Sequence, residues 1–379
     1  MEEHVSDIPE GLDAATLTPI VERVLDAQEL RITAWRCTRL HGGNAGSVFR
    51  LGGDAETQSR STPWSVVLKM PGREASPADP SGGTHEPVIY RSMFLRELPA
   101  CLAAPRCFGV VEQPSGQHWL WLEDVPHSSV SWGWDCYADV ARRLGQFNGT
   151  FLVGRPLPAW PWLGTTSQIH DYVARLWPRA DQLRDTIAVW DCRSELPQDA
   201  ADQLLRLHAE RAVFLEQLDR LPVTLCHGDA FQRNLLVDNP TGVPTRVVAV
   251  DWACAGMGVL GEDLHRLVNH SALFAYLAPA QLPALDRVVV PAYIQGLRAA
   301  GWRGNEQQVR FGYAASSALT EGMLIGDTGL QLCADEKNHQ WIRDTLGWSG
   351  GDIPHRMIGL LRYQLDLAAE ARALMAALN

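Results

Sequence analysis

Lysine is almost missing from this chain: Lys69 and Lys337 are the only two among 33 basic residues. Arginine replaces lysine on a solvated surface at little cost, but not where a compact ammonium must meet a phosphate in a confined site. Clustered basic residues are also absent and the formal net charge is −11, which argues against a nucleic-acid binder. No apolar stretch reaches the roughly 18 residues that span a membrane. The eight cysteines form no CxxC pair and no regular spacing. The N-terminal MEEHVSDIPEG has neither a basic start nor an apolar run, so the expectation is a reduced, cytoplasmic protein. The phosphate-loop pattern GxxxxGK[ST] does not occur, which excludes that nucleotide-binding class, and GxSxG is missing too. His41, His265 and His270 lack ligand-like spacing and read as polar surface or core positions rather than a zinc site.

What remains is a chain of 379 residues, 46% hydrophobic and 20% charged, long enough for two lobes. Residues 11–30 place apolar side chains at helical spacing. From 31 to 70 the period changes to that of strands: RITAWRCTRL, a turn at HGGNAG, SVFRL, and SVVLKM after Pro63 form an expected antiparallel meander. A loop rich in Pro, Gly, Ser and Asp follows at 71–85, then one helix over EPVIYRSMFLREL and two strands, CFGVVEQ and HWLWLEDV. Beyond about 127 helical patterns dominate: DCYADVARRLGQFNGTFL, TSQIHDYVARLW, DAADQLLRLHAERAVFLEQL and PHRMIGLLRYQLDLAAEARALM. One hairpin interrupts them, LLVD turning at NPTG into VVAVDW. The expected class is α+β: a β-rich N-terminal lobe over 1–123 and a mainly helical lobe over 124–379.

The segment LCHGDAFQRNLLVDNPTGVPTRVVAVDW, 225–252, carries the chemistry. Phosphoryl transfer needs a carboxylate for the proton of the attacking hydroxyl and hard oxygen ligands for the metal on the nucleotide phosphates. Asp229 leads the loop, Asn234 follows it, and the hairpin returns Asp251 to Asn234. His227 reads as a residue that holds the loop.

HGDAFQRN followed by VAVDW resembles the catalytic loop and metal-binding segment of the aminoglycoside phosphotransferases and their choline-kinase-like relatives. The resemblance implies a protein-kinase-like bilobal fold, Asp229 as the catalytic base, and Asn234 and Asp251 as magnesium ligands. Two departures stand out: a somewhat long hairpin, and Phe231-Gln232-Arg233 where the family often has Pro or Gly. On the same resemblance the N-terminal lobe holds the nucleotide. HGGNAGS between two strands would cover the phosphates with Gly42, Gly43, Gly46 and Ser47. Lys69 would meet the α- and β-phosphates, oriented by Glu86, with Glu97 as a competitor. In the segment linking the lobes, backbone near Glu123 and Val125 would meet the adenine. Asp263, in GVLGEDLHRL, would serve as an N-cap or a brace for the loop. The implied cofactors are ATP, with GTP as the alternative, and Mg²⁺.

The acceptor is expected to be a hydroxylated small molecule, cationic or sugar-like, with neither nucleic acid nor membrane as a partner and the oligomeric state left open. An aminoglycoside or related antibiotic is the first expectation; a metabolic sugar or amino alcohol is the second. A third reading is a non-catalytic nucleotide-binding regulator, against which Lys69, Asp229, Asn234 and Asp251 stand together. Trp132, Trp134, Trp160, Trp162, Trp177 and Trp190 crowd the region before the catalytic loop, and aromatic faces suit sugars and cations. Glu262, Asp263, Glu321, Asp327 and Asp335 are candidates for attracting an amine.

Overall fold

The computed structural model describes residues 8–40, 46–57, 60–72, 83–126, 130–157, 160, 162–163, 169–176 and 199–378. Trp177 and Trp190 lie outside them. The chain divides into two compact units, Met1–Leu98 with Ala103–Pro126, and Pro99–Leu102 with His127–Asn379.

In the first unit, helix α1 (Ala14–Leu25) starts where Asp13 accepts from Thr16 N at 2.8 Å, an N-cap that satisfies one of the orphan donors. Strands β1 (Arg31–Leu40), β2 (Gly46–Glu56), β3 (Ser61–Pro71), β4 (Cys107–Glu112) and β5 (His118–Glu123) form one antiparallel sheet in the order β1-β2-β3-β5-β4. Pro63 lies inside β3 rather than before it. β5 pairs only with Val66–Lys69, so at Pro63 that side of β3 has no ladder for the missing N–H to break. Leu17, Ile20 and Val21 of α1 pack with Leu51, Val66, Leu68 and Trp121 in one buried cluster. Burying each large aliphatic side chain contributes about 1.5–3 kcal/mol.

The single helix expected over 86–98 is shorter. α2 (His85–Arg91) stops at Ser92, which turns extended, donates its hydroxyl to Ile89 O at 2.6 Å, and accepts from Phe94 N. A short polar side chain thus competes with the backbone ladder, and only a 3-10 turn, Phe94–Arg96, follows.

The second unit contains α3 (Trp134–Val153), α4 (Ile169–Leu176), α5 (Ala200–Leu218), α6 (Asp263–Leu273), α7 (Leu282–Ala299) and α8 (Glu306–Ser317). α8 continues into π-helical turns at Ala318–Gly322 and Leu324–Gly329, and α9 (Leu330–Ala334), α10 (His339–Leu346) and α11 (Ile353–Leu378) complete the unit. α3 and α7 approach closely because their contact is glycine: a Cβ at Gly145 would stand 2.0 Å from Tyr293 O, and one at Gly296 1.9 Å from Arg142 O. Two short antiparallel pairs sit among the helices. β6 (Val223–Cys226) pairs with β9 (Gly256–Val259), and β7 (Leu235–Val237) with β8 (Val247–Ala249). Among the described residues no helix is long and apolar enough to cross a membrane.

Candidate active site

The loop 227–234 leaves β6 and enters β7, so two hydrogen-bonded pairs hold both of its ends. Gly228 turns the chain at φ 77°, and a Cβ there would stand 2.0 Å from Cys254 O; only glycine fits both the left-handed backbone and the approach. At the far end Val250 N donates to Asn234 O at 2.8 Å, which extends the β7–β8 ladder and brings Asp251 alongside Asn234. Asp251 itself is left-handed, φ 59° and ψ 66°, a strained conformation for a residue with a side chain. Fully buried Trp252 anchors the next turn, its Nε1 donating to Ala249 O at 2.9 Å.

Asp263 opens α6, where its buried carboxylate accepts three N–H groups: His227 N at 3.1 Å, Gly228 N at 2.9 Å and Asn148 Nδ2 at 3.0 Å. The position before it, Glu262, occupies the N-cap, so of the two roles expected for Asp263 the geometry is that of the brace. Asn148 on α3 also donates to Leu225 O at 2.8 Å and accepts from Tyr293 OH at 2.7 Å. Sequence reasoning passed over Asn148, although an amide on the apolar face of an amphipathic helix is a visible signal: buried, it needs partners. His227 is wholly buried between backbone groups. The Val250 carbonyl, 3.1 Å from Nε2, can only accept, so that nitrogen carries the proton, while Nδ1 accepts from Asp229 N at 3.3 Å. Burial lowers the His227 pKa against the pull of Asp263, Asp229 and Asp251, in keeping with a neutral ring that holds the loop.

Asn234 Nδ2 donates to Asp229 Oδ2 at 2.7 Å and to Asp229 O at 3.0 Å. The amide nitrogen is thereby committed to Asp229, and the amide oxygen is left to accept from, or to ligate, other partners. The Asp229 side chain is 25% exposed, the accessibility that a proton acceptor for a bound hydroxyl requires. Of the residues at which the loop departs from the family pattern, Phe231 stacks on Phe274, the C-cap of α6, with centroids 5.0 Å apart, and Arg233 lies 4.0 Å over Phe274 while donating to Thr345 O, whereas Gln232 accepts from Tyr137 OH of α3 at 3.4 Å. Glu321, a candidate for attracting an amine, is instead fully buried and ion-paired with Arg266 Nη1. Burial raises the Glu321 pKa, but the Arg266 guanidinium beside it outweighs burial and holds the carboxyl down at about 2.

In the first unit, Lys69 lies at the paired centre of β3, opposite Val48 of β2 and Leu120 of β5. Its Nζ meets Glu86 Oε2 at 2.6 Å, and the Glu86 side chain is only 2% exposed. The partner is thus Glu86 rather than Glu97, which ends the 3-10 turn. Gly46 and Ser47 begin β2; a Cβ at Gly46 would stand 2.4 Å from Met70 O, and Ser47 Oγ accepts from Arg39 Nη2 at 3.4 Å. Gly42 and Gly43 lie outside the described residues. Glu123 ends β5, exchanging Glu123 N to Arg106 O at 2.8 Å and Arg106 N to Glu123 Oε2 at 3.0 Å. Asp124 accepts from Arg50 Nε at 3.0 Å, and Val125 is buried.

The phosphotransferase enzyme family profile matches residues 36–303, a span that includes Lys69, the loop 227–234 and Asp263. The chain belongs to that family. No curated protein matches the sequence. Among solved structures, choline kinase from Cryptosporidium parvum Iowa II is similar over 94% of this chain and 96% of its own, with a TM-score of 0.54 at 10% identity. A spectinomycin phosphotransferase in complex with ADP and its antibiotic is similar over 96% and 99%, with a TM-score of 0.51 at 12% identity. Amicoumacin kinase hAmiN, in complex with AMP-PNP, Ca²⁺ and Ami, is similar over 87% of this chain and 88% of its own, with a TM-score of 0.50 at 15% identity. At such identities the likeness establishes the fold, which is the protein-kinase-like α+β fold expected from the motifs. Family membership makes this chain a phosphotransferase of the small-molecule kinase type.

Proposed function

We propose that the chain is an ATP- and magnesium-dependent kinase that phosphorylates a hydroxyl of a small molecule, with an aminoglycoside or related antibiotic as the first acceptor class. The observation that carries this reading is the Asn234 amide, which donates to the Asp229 carboxylate at 2.7 Å, beside the hairpin return to Asp251. Asp229 takes the proton of the acceptor hydroxyl as that oxygen bonds to the γ-phosphorus and the bond to the β-phosphate bridge breaks, releasing ADP. The Asn234 amide oxygen and the Asp251 carboxylate are hard donors that suit Mg²⁺, which would neutralise charge on the phosphates. Two protein ligands suit an ion whose remaining shell phosphates and water complete. Lys69, oriented by Glu86, binds the α- and β-phosphates, and Gly42, Gly43, Gly46 and Ser47 cover them. Backbone at Glu123 and Val125 receives the base.

A sugar or amino-alcohol kinase is the second reading, favoured by one observation. Arg266 neutralises Glu321, which removes one of the carboxylates expected to attract an amine-bearing acceptor. ADP release with Mg-ATP and Mg-GTP, measured across aminoglycosides, spectinomycin, choline and simple sugars, separates the two. Turnover with an antibiotic supports the first reading and turnover with only sugars or choline supports the second. Calorimetry showing no magnesium-dependent nucleotide binding would overturn both.

A further inference from the structure

We propose that His270 is a positioning residue for Asp229, held by Arg266 in the tautomer whose Nδ1–H faces the Asp229 carboxylate. The inference rests on Asp229 being the group that takes the acceptor proton. His270 lies two turns after Asp263 on α6, so one helix face presents the brace to the start of the loop and the imidazole to Asp229. The ring is buried, 7% exposed, and its Nδ1 stands 3.7 Å from Asp229 Oδ1 without a hydrogen-bond partner. Arg266 Nη1 lies 3.1 Å from Nε2. A guanidinium has no acceptor, so Nε2 must accept from it and the ring proton resides on Nδ1. Glu321 Oε1 is farther from Nε2, at 3.5 Å, and already accepts from Arg266. Two aromatic rings prevent the imidazole from turning: Phe231 of the loop packs edge-on at 4.7 Å and 87°, and Phe274 at 5.4 Å and 85°.

The two Asp229 oxygens are therefore addressed from two sides, Oδ2 by the Asn234 amide and Oδ1 by the imidazole N–H. Hydrogen bonds at catalytic groups are often long without substrate and tighten in the complex. A neutral imidazole N–H orients the carboxylate without protonating it, so Asp229 keeps its capacity to accept the hydroxyl proton. None of the residues around His270 is a nucleophile, and Arg266 and Glu321 cancel in charge, which leaves orientation as what this assembly supplies.

The side-chain amides of Asn and Gln distinguish the two ring nitrogens, because Asn places N–H where Nδ1 is and Gln where Nε2 is. ADP release from Mg-ATP, with water and with each member of the acceptor panel, is to be measured for wild type, His270→Asn, His270→Gln, His270→Phe and Asp229→Asn, beside nucleotide affinity and melting temperature. His270→Phe and His270→Gln are expected to lower kcat about ten- to hundredfold, the scale of one hydrogen bond to a charged group. KM for ATP should hardly change, and His270→Asn should restore most of kcat. Equal kcat for His270→Asn and His270→Gln, or a wild-type kcat in His270→Phe, overturns the role of His270. Full turnover in Asp229→Asn instead overturns the reading of the loop itself. Independently of turnover, the ¹⁵N resonances of the His270 ring, assigned by their loss in His270→Asn, should report the Nδ1–H tautomer; an Nε2–H or doubly protonated ring refutes the proposal.

Discussion

Replacing Asp263 tests whether the catalytic loop is held from outside by one carboxylate. Oδ2 accepts from His227 N and Asn148 Nδ2, and Oδ1 from Gly228 N. In Asp263→Asn the single oxygen keeps the pair of donors if the amide turns its NH₂ toward Gly228 N, so one hydrogen bond to a charged acceptor is lost and two are weakened. At about 1.5–3 kcal/mol for such a bond, the loss is about 2–3 kcal/mol. Asp263→Ala orphans all three donors inside a buried site, and the loss rises to about 5 kcal/mol. For a unit of this size each kcal/mol moves the melting temperature by about 2–4 °C, so about 7 °C is expected for Asn and twice that for Ala. Differential scanning fluorimetry and urea titration on the full chain read both variants, and turnover measured well below either transition should fall as well, because Gly228 carries Asp229. Equal losses for Asn and Ala, or less than about 1 kcal/mol for Ala, would show that the loop is held by its own hairpin and not by Asp263.

Asp229→Asn is expected to leave magnesium-nucleotide affinity nearly intact and to lower single-turnover transfer by about 10² or more, whereas Asp251→Asn weakens the affinity itself; calorimetry beside rapid-quench transfer checks the pair. Lys69→Met should weaken nucleotide binding and also destabilise the first unit, because the nearly buried Glu86 loses its ammonium. Breaking one side of a buried pair costs about 3–5 kcal/mol, and Lys69→Met combined with Glu86→Gln should recover the melting temperature without the affinity. On acidification, His265 dominates the expected response: burial, with Arg266 beside it, lowers its pKa from 6.5 to about 3. The unfolded chain then binds a proton that the folded chain refuses, so stability falls as pH drops from about 6.5 toward 3. His265→Asn keeps the donor to Glu262 O and should flatten part of that slope in melting curves taken across this range, to which His227 and, below about pH 4.5, Glu321 also contribute.

The geometry of the loop 227–234 was legible because its information is local. A carboxylate, an amide five positions on and a second carboxylate at the end of a hairpin are tied together by two short strands, and backbone geometry places them with little help from elsewhere. Lys69 and Glu86 were legible for a related reason: a strand and the next helix of one sheet unit bring them together. The helix over 86–98 was overread because the periodicity of its apolar residues says nothing about where Ser92 will spend its hydroxyl.

Periodicity also left the β6–β9 pair unseen. Each strand has four residues, too few to show alternation, and the partner of each lies about thirty positions away across the loop and hairpin. Glu321 looked like a surface acid and His270 like an idle histidine, since nothing near either in the chain names a partner. Arg266 meets Glu321 across 55 positions and Asn148 meets Asp263 across 115, and those encounters follow from the glycine contact of α3 with α7 and from the π-helical turns after α8. The residue types and their short-range spacing thus carry the chemistry proposed for this chain. Only the packing of distant helices decided which buried groups hold Asp229, because a buried polar atom must find its partner in space and the order of residues does not record where that partner is.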